Sequence, residues 1–241
     1  MGRPFDDWLA EALATEQPEP PTPLQGQHEV DVCIVGGGFT GLWSAITLKT
    51  AEPHLRIMVL EKDLCGSGAS GRNGVCLLTW SAKYLTLKRL FGEQQAAWLV
   101  QGSEQAVHQI ARFCETHNIE AQLRVEGTCY TATSEAQRGL MDPVLRELKR
   151  ANLNQWQTIE ESELASQSGS HVHLEGLYSP HAGSVQPALL VRGLLRVARE
   201  LGIEVYEHSP MQRLEAGQPV RVQTPQGEVH ARKGKYSPEQ Y

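Results

Sequence analysis

The apolar residues near the start of the chain predict a strand, a helix and a second strand in close succession. Val30 to Val35 is rich in β-branched residues, as buried strands are. Phe39 to Thr50 predicts a helix with Leu42 and Ile46 on its apolar face, and Arg56 to Glu61 predicts a second strand. Two strands joined through a helix within about 32 residues imply a right-handed βαβ unit and a parallel sheet, and therefore an α/β fold.

The remaining pattern alternates helices with short strands. A short amphipathic helix is predicted over Phe5 to Ala14, followed by an extended spacer that contains Pro18, Pro20, Pro21 and Pro23. Residues 62–79 form a loop rich in glycine and serine. The further predicted helices are Glu93–Thr116, Glu135–Arg150 and Pro187–Leu201. The further predicted strands are Gln122–Thr131, Gly176–Ser179, Glu204–Glu207, Val220–Thr224 and Glu228–Ala231.

Composition narrows the class of protein. The 241 residues include 22 Lys and Arg against 28 Asp and Glu, a formal charge of −6, which gives no field to attract nucleic-acid phosphates. The five cysteines are odd in number and form neither a disulfide framework nor a zinc pattern. The first residues lack a signal-peptide core, and the longest apolar stretch, residues 32–48, is interrupted by glycines. We therefore expect a cytoplasmic protein without a membrane span.

A glycine-rich turn lies directly between the first strand and the first helix. Residues 36–41, GGGFTG, satisfy the spacing GxGxxG. In this motif Gly36 permits the tight turn, Gly38 lets the backbone approach a pyrophosphate, and Gly41 lets the helix pack closely. The amide groups at the helix start then face the anion. A plain glycine turn without a ligand is the alternative interpretation.

Glu61 follows the last glycine of this motif by 20 residues and ends the second predicted strand. A carboxylate at this position can accept hydrogen bonds from both hydroxyls of an adenosine ribose, and it would repel a 2′-phosphate. The alternative is an acidic residue at a solvated strand end.

A second glycine loop, GSGASGRNG at residues 66–74, distinguishes between dinucleotides. A nicotinamide dehydrogenase does not need such a loop after the ribose-binding acid, whereas a longer, extended flavin cofactor does. In that interpretation Arg72 supplies positive charge near the phosphates or the flavin. A surface cation is the alternative for Arg72, and a nicotinamide dehydrogenase stays open as a third hypothesis for the protein.

These two segments carry a family resemblance. DVCIVGGGFTGLWSAITL (31–48) and VLEKDLCGSGASGRNG (59–74) resemble the FAD-dependent amino-acid and amine oxidoreductases of the D-amino-acid oxidase superfamily, in particular its sarcosine oxidase, glycine oxidase and gamma-glutamylputrescine oxidoreductase group. Weaker similarity continues through residues 126–133 and 176–207. The resemblance implies a Rossmann-like FAD-binding domain with a parallel sheet, plus a partial α+β substrate domain.

The resemblance also implies which residues bind the cofactor and which reaction follows. The reaction would oxidise the C–N bond of an amine or amino acid by hydride transfer to FAD. The resemblance implies a pyrophosphate turn formed by Gly36, Gly38, Phe39, Thr40 and Gly41, and a ribose and adenine end formed by Glu61 and Lys62. It implies a flavin loop formed by Gly68, Ala69, Ser70, Arg72, Asn73 and Gly74, and a backbone contact to adenine from Met211. It implies no metal ligand.

The sequence departs from the family at two places. Val75 stands where relatives usually have a second glycine, and the last residues, RKGKYSPEQY, replace the expected apolar strand and later cofactor segments. This pattern predicts a match to roughly the N-terminal half of a family member, interpreted as a truncated or frame-shifted product or a partial gene model. The competing hypotheses are a working oxidoreductase, and a non-catalytic FAD-binding fragment or half-protein that needs a partner chain.

The predicted domain organisation follows from the resemblance. It is an N-terminal helix and spacer at 1–28, a discontinuous FAD-binding domain at 29–118 and 181–231, a partial substrate domain at 119–180, and an unpatterned tail at 232–241.

Four further residues are candidates for chemistry. His171 and His173 could face one side of a strand, but no further metal ligand is evident at suitable spacing. His181 could line a substrate pocket or lie on a surface loop. Cys76 could lie near the flavin or be a small buried thiol.

Overall fold

The computed structural model of the protein describes residues 7–16 and 22–236, which include seven α-helices and eleven strands. The helices are α1 (Asp7–Ala14), α2 (Phe39–Ala51), α3 (Tyr84–Phe91), α4 (Glu93–Thr116), α5 (Asp142–Arg150), α6 (Glu161–Ser168) and α7 (Pro187–Glu200). The strands are β1 (Gly26–Val35), β2 (Ile57–Leu60), β3 (Cys76–Leu77), β4 (Thr128–Ala132), β5 (Gln157–Ile159), β6 (Glu175–Ser179), β7 (Gly183–Ser184), β8 (Glu204–Tyr206), β9 (Arg213–Glu215), β10 (Val220–Gln223) and β11 (Gly227–Tyr236).

The chain divides into two compact units. The first unit comprises residues up to 74, residues 117–122 and residues from 186 onward, and the second comprises residues 75–116 and 123–185. This division differs from the domain boundaries expected from the sequence, which assigned α4 to the cofactor domain. The physical reason is that α4 packs against α3 and shares an apolar cluster with α5, so it belongs with the second unit.

The first unit is built on a six-stranded sheet in the order β8-β2-β1-β11-β10-β9. The first four strands run parallel, and β10 and β9 are antiparallel. The last four residues of β1 and all of β2 are buried, as expected for parallel strands covered on both faces. Helix α2 packs against β1, β2 and α7. The predicted βαβ unit and parallel sheet are confirmed.

Strand β11 corrects the prediction for the end of the chain. The strand predicted to end at Ala231, before an unpatterned tail at 232–241, continues as β11 to Tyr236 in parallel register with β1. Residues 232–236, RKGKY, have no apolar alternation, so the pairing depends on backbone hydrogen bonds with β1. Residues 237–241 of the predicted tail lie outside the described residues.

The N-terminal helix belongs to the first unit and packs against α7. Helix α1 contacts α7, where Leu9 and Ala12 share a buried cluster with Ala188. Phe5, at the start of the predicted helix, lies outside the described residues, as do Pro18, Pro20 and Pro21 of the predicted spacer.

The second unit combines a helical cluster with small antiparallel sheets. Its three-stranded sheet has the order β4-β6-β5, and β3 pairs with β7. The predicted strand Gln122–Thr131 is correct only near its end, at β4. The predicted helix Glu135–Arg150 is reduced to a short 3-10 turn and α5, because Pro143 lies in the first turn of α5 and starts it anew. Helix α3 was not predicted.

Among residues 7–16 and 22–236, no helix is both long enough and apolar enough to cross a membrane.

Helix α7 provides a test of the core of the first unit. Leu194 is fully buried, and we expect Leu194→Ala to lower the free energy of unfolding by about 2–5 kcal/mol because it leaves a cavity. Urea unfolding of the full chain measures the change. Leu214→Ala is the control, since Leu214 is 47% exposed, and equal losses in the two variants would contradict the packing described.

Candidate cofactor-binding site

The first glycine turn joins β1 to α2 by a close approach of backbone to backbone. Gly36 has a φ of +115°, and Gly38 is the extended N-cap of α2. A Cβ at Gly41 would lie 1.9 Å from the carbonyl oxygen of Gly36, so any side chain there would displace the helix from the turn. The motif therefore forms the tight strand-to-helix connection that its spacing predicts.

The side chain of Glu61 is hydrogen-bonded to the first glycine turn. Its Oε2 accepts a hydrogen bond from the Gly37 N–H at 2.7 Å, and its Oε1 accepts one from the Asp63 N–H at 3.0 Å. The residue is only 5% exposed, and burial raises the pKa of the carboxyl, while the hydrogen bonds from the Gly37 and Asp63 amides oppose that shift. Glu61 thus has a structural role that the sequence analysis did not anticipate.

The second glycine loop repeats the geometry of the first turn. Residues 66–71, GSGASG, also satisfy GxGxxG. Gly66 has a φ of +91°, Gly68 is extended, and a Cβ at Gly71 would lie 2.1 Å from the carbonyl oxygen of Gly66. The sequence contains this second GxGxxG spacing, although the sequence-based prediction described residues 66–74 only as a glycine loop.

Ser70 links the two turns. Its Oγ accepts a hydrogen bond from the Phe39 N–H at the start of α2, at 2.9 Å. Asn73 donates from Nδ2 to the Ser70 carbonyl oxygen at 3.0 Å and so ties the end of the second loop to its middle. The amide of Phe39, which the motif would direct toward an anion, is therefore engaged by Ser70.

Both turns line one polar cavity of about 260 Å³. Eight of the predicted cofactor residues line it: Gly36, Gly38, Glu61, Lys62, Gly68, Ala69, Ser70 and Arg72. Three further lining residues, absent from the predicted set, are Asp63, Gly66 and Ser67. The lining thus includes the cations of Lys62 and Arg72 beside the carboxylates of Glu61 and Asp63.

The remaining predicted site residues lie outside the cavity lining. They are Phe39, Thr40, Gly41, Asn73, Gly74 and Met211. Phe39 and Asn73 are hydrogen-bonded to Ser70, and Gly41 closely approaches Gly36. Met211 is partly buried and packs against the apolar cluster around β1 and β2, because its side chain is apolar and the sheet lies beside it.

The cavity has the features that a phosphate-containing dinucleotide needs. Two turns with glycines at the close approaches let backbone atoms reach a ligand, and apart from Gly68 and its two chain neighbours no atom lies within 4 Å of the place where a Cβ on Gly68 would stand. The start of α2 contributes a positive helix dipole, and Arg72 and Lys62 add positive charge. The residues present therefore fit an anionic cofactor.

Val75, the departure from the family pattern, has a φ of +69°. This left-handed region favours glycine and is costly for a β-branched residue. The position therefore has a backbone conformation that would suit the glycine expected from the family resemblance, although the side chain is valine.

The side chains of His173 and His181 each lie within hydrogen-bonding distance of one neighbouring side chain. Nδ1 of His173 lies 3.1 Å from Oγ1 of Thr131, and Nδ1 of His181 lies 2.9 Å from Nε2 of His108. Cys76 is exposed, so its interpretation as a buried thiol is wrong. Across the described residues, no group of three or more His, Cys, Asp or Glu side chains is arranged to hold a metal.

Comparison with known proteins identifies the family. Residues 31–234 match the family model described as "DAO: FAD dependent oxidoreductase". Because this match covers most of the chain, the protein belongs to that family of FAD-dependent oxidoreductases. The predicted family, its FAD cofactor and the Rossmann-like α/β fold are thereby confirmed.

Named relatives share this region with the chain. Gamma-glutamylputrescine oxidoreductase of Escherichia coli is 29% identical over 207 residues, which are 84% of this chain and 47% of the relative. "Probable oxidoreductase OrdL" of Haemophilus influenzae is 28% identical over 195 residues, 78% of this chain and 44% of the relative. The chain spans about half the length of the curated relatives it matches.

Solved structures share the fold. Glycine oxidase from Geobacillus kaustophilus superposes with a TM-score of 0.65 at 22% identity, over 87% of this chain and 55% of that one. L-Amino acid deaminase from Proteus myxofaciens gives a TM-score of 0.71 at 21% identity, over 92% of this chain and 47% of that one.

The buried Glu61 predicts a dependence of stability on pH. The folded protein raises the pKa of this carboxyl, so it holds the proton more tightly than the unfolded chain, whose pKa is near the ordinary value of 4.5. The free energy of unfolding should therefore fall as the pH rises above about 4.5 through the folded-state pKa. Glu61→Gln should not show this contribution.

Urea unfolding of the protein and of Glu61→Gln between pH 4 and pH 8 tests this expectation. The loss of one amide hydrogen bond in the variant gives an offset that does not vary with pH. The difference between the two proteins should then shift in favour of the variant as the pH rises, and a constant difference would refute the assignment.

Proposed function

We propose that the two glycine turns hold the pyrophosphate and flavin side of FAD, and that the whole protein oxidises the C–N bond of an amine or amino acid. The observation that carries the proposal is the convergence of two GxGxxG turns on one polar cavity that also contains Glu61. Bound FAD supplies the two-electron acceptor for such an oxidation.

The cavity supports a division of roles among its residues. Gly36 and Gly38 take the pyrophosphate at the start of α2, where Phe39, Thr40 and Gly41 shape the turn. Glu61 and Lys62 take the adenosine ribose. The carboxyl group of Glu61 lines the cavity, and a carboxylate at this position can accept hydrogen bonds from ribose hydroxyls.

The second turn takes the flavin side of the cofactor. Gly68, Ala69 and Ser70 offer backbone atoms with little side-chain bulk, and Arg72 offers positive charge at the same cavity. Asn73 and Gly74 belong to this role by holding the end of the loop. The backbone contact of Met211 with adenine stays a prediction.

The names of relatives support the substrate class. They include a gamma-glutamylputrescine oxidoreductase among sequences, and a glycine oxidase and L-amino acid deaminases among structures. An L-2-hydroxyglutarate dehydrogenase also matches at 23% identity, and its name specifies a C–O rather than a C–N bond. A substrate test must therefore include 2-hydroxy acids beside amines.

Two glycine-to-alanine substitutions in the second turn should distinguish an effect on cofactor binding from an effect on folding. Gly68→Ala places its methyl in open space at the cavity, so the fold should persist while the affinity for FAD drops about 5- to 150-fold, equivalent to an overlap of ~1–3 kcal/mol. Gly71→Ala places its methyl against the Gly66 carbonyl and should lower the free energy of unfolding by about 1–3 kcal/mol.

Quenching of FAD fluorescence measures the affinity, and urea unfolding measures the stability of each variant. If Gly68→Ala binds FAD as tightly as the unaltered protein does, the proposed cofactor position is wrong.

The substrate class is tested by reduction of the flavin. The FAD-loaded protein, mixed anaerobically with a panel of amines, amino acids and 2-hydroxy acids, should lose its absorption near 450 nm with an amine or amino acid. Bleaching by a 2-hydroxy acid alone would overturn the C–N assignment. FAD binding without bleaching by any compound would favour the non-catalytic alternative.

A further inference from the structure

We propose that Glu16, at the end of the N-terminal helical segment, and Arg192 in α7 are positioning residues for the second glycine turn, so that docking of α1 and binding of FAD are coupled. This inference rests on the proposed function, because the second turn is assigned to FAD there. Neither residue lines the cavity, and both act through the backbone at Cys65.

The ion pairs around Arg192 connect three parts of the first unit. The Arg192 side chain is 9% exposed, and its Nε and Nη2 donate to Oε1 and Oε2 of Glu16 at 2.6 and 2.5 Å. Its Nη1 donates to Oε1 of Glu207 at 2.6 Å. One guanidinium thus joins the end of the N-terminal helical segment to a carboxylate that follows β8.

Glu207 passes this connection to the second turn. It is 3% exposed, and its Oε1 accepts a hydrogen bond from the Cys65 N–H at 2.7 Å. Nη1 of Arg192 also lies 3.5 Å from the Cys65 carbonyl oxygen. Both backbone groups of Cys65, the residue immediately before Gly66, are therefore in contact with this buried pair.

Helix α7 also supports the turn by packing. A Cβ at Gly66 would lie 2.4 Å from Cγ1 of Val191, and a Cβ at Gly71 would lie 3.6 Å from Ala188. Ala188 is in turn covered by Leu9 and Ala12 of α1. Helix α1, helix α7 and the second turn thus form a continuous packed stack within the first unit.

The two turns differ in how they are anchored. The first turn follows β1 directly, and the Gly36 N–H donates to the Leu60 carbonyl oxygen of the neighbouring strand at 2.8 Å. The second turn lies between β2 and β3 and begins after five residues outside any strand. The buried ion pair of Arg192 and Glu207 therefore anchors the second turn, as hydrogen bonding to the sheet anchors the first turn.

Coupling follows because Arg192 is bonded to the end of the N-terminal segment through Glu16, while the pair of Arg192 and Glu207 contacts Cys65, immediately before the turn assigned to FAD. If α1 stabilises the conformation of the second turn that FAD needs, then FAD must stabilise the docked state of α1 by the same free energy. Removing the Glu16 carboxylate should leave the fold intact, since its side chain is 32% exposed and Arg192 keeps Glu207 as a partner.

The test compares Glu16→Gln with Glu11→Gln in the full chain. Glu11 lies on α1 and accepts hydrogen bonds from Gln122 and Gln186, not from Arg192, which makes it a matched control. We expect Glu16→Gln to weaken FAD binding about tenfold and Glu11→Gln to leave it within about twofold, both measured by flavin fluorescence. Arg192→Lys, which keeps the charge but loses the fork, should weaken it at least as much.

Hydrogen exchange provides the readout that a purely structural role would not change. FAD should slow amide exchange of residues 7–16 in the unaltered protein, and this protection should shrink in Glu16→Gln. Equal affinities of Glu16→Gln and the unaltered protein, or equal losses in both glutamate variants, would overturn the positioning role of Glu16 and Arg192 while leaving the proposed function intact. Failure of the unaltered protein to bind FAD would overturn both.

Discussion

Much of the first unit depends on how closely backbone can approach backbone at its two glycine turns. At Gly41 and again at Gly71, a helical turn approaches the carbonyl of a glycine five residues earlier, at a distance that no side chain tolerates. This constraint fixes where α2 begins relative to β1, and it fixes the second turn against α7. The cavity between the turns is a result of these contacts and of the hydrogen bond from Phe39 to Ser70.

Each turn has its own buried carboxylate. Glu61 accepts the amide of Gly37, and Glu207 accepts the amide of Cys65. The two carboxylates differ in the groups that offset the cost of their burial. Glu61 is held by backbone amides, whereas Glu207 also has Arg192 and Arg199 beside it. Burying an uncompensated carboxylate is expensive, so the charges of the two turns are balanced by different means.

The sequence predicted the parts of the fold that depend on local pattern. The βαβ unit was predictable because β2 and the last four residues of β1 are buried and apolar, and because the turn has a fixed glycine spacing. Helix α3 was not predicted because its eight residues are too few to establish a helical period, and apolar Leu85, Leu90 and Phe91 are exposed in it. The end of β11 was missed because its pairing is a backbone property. The ion pairs of Arg192 join residues far apart in sequence, and no single-sequence pattern reveals such partners.

The parallel pairing of β1 with β11 also has a consequence for synthesis of the protein. Val30 pairs with Ala231, so β1 waits for a partner that the ribosome makes about 200 residues later, which at about 5–20 residues per second takes about 10–40 s. Until then, β2 alone covers one side of a buried, apolar strand and the other edge stays open to other chains. Nascent chains of this protein are therefore exposed to misassociation in the cell, and chaperones that bind apolar strands have a defined interval in which to act.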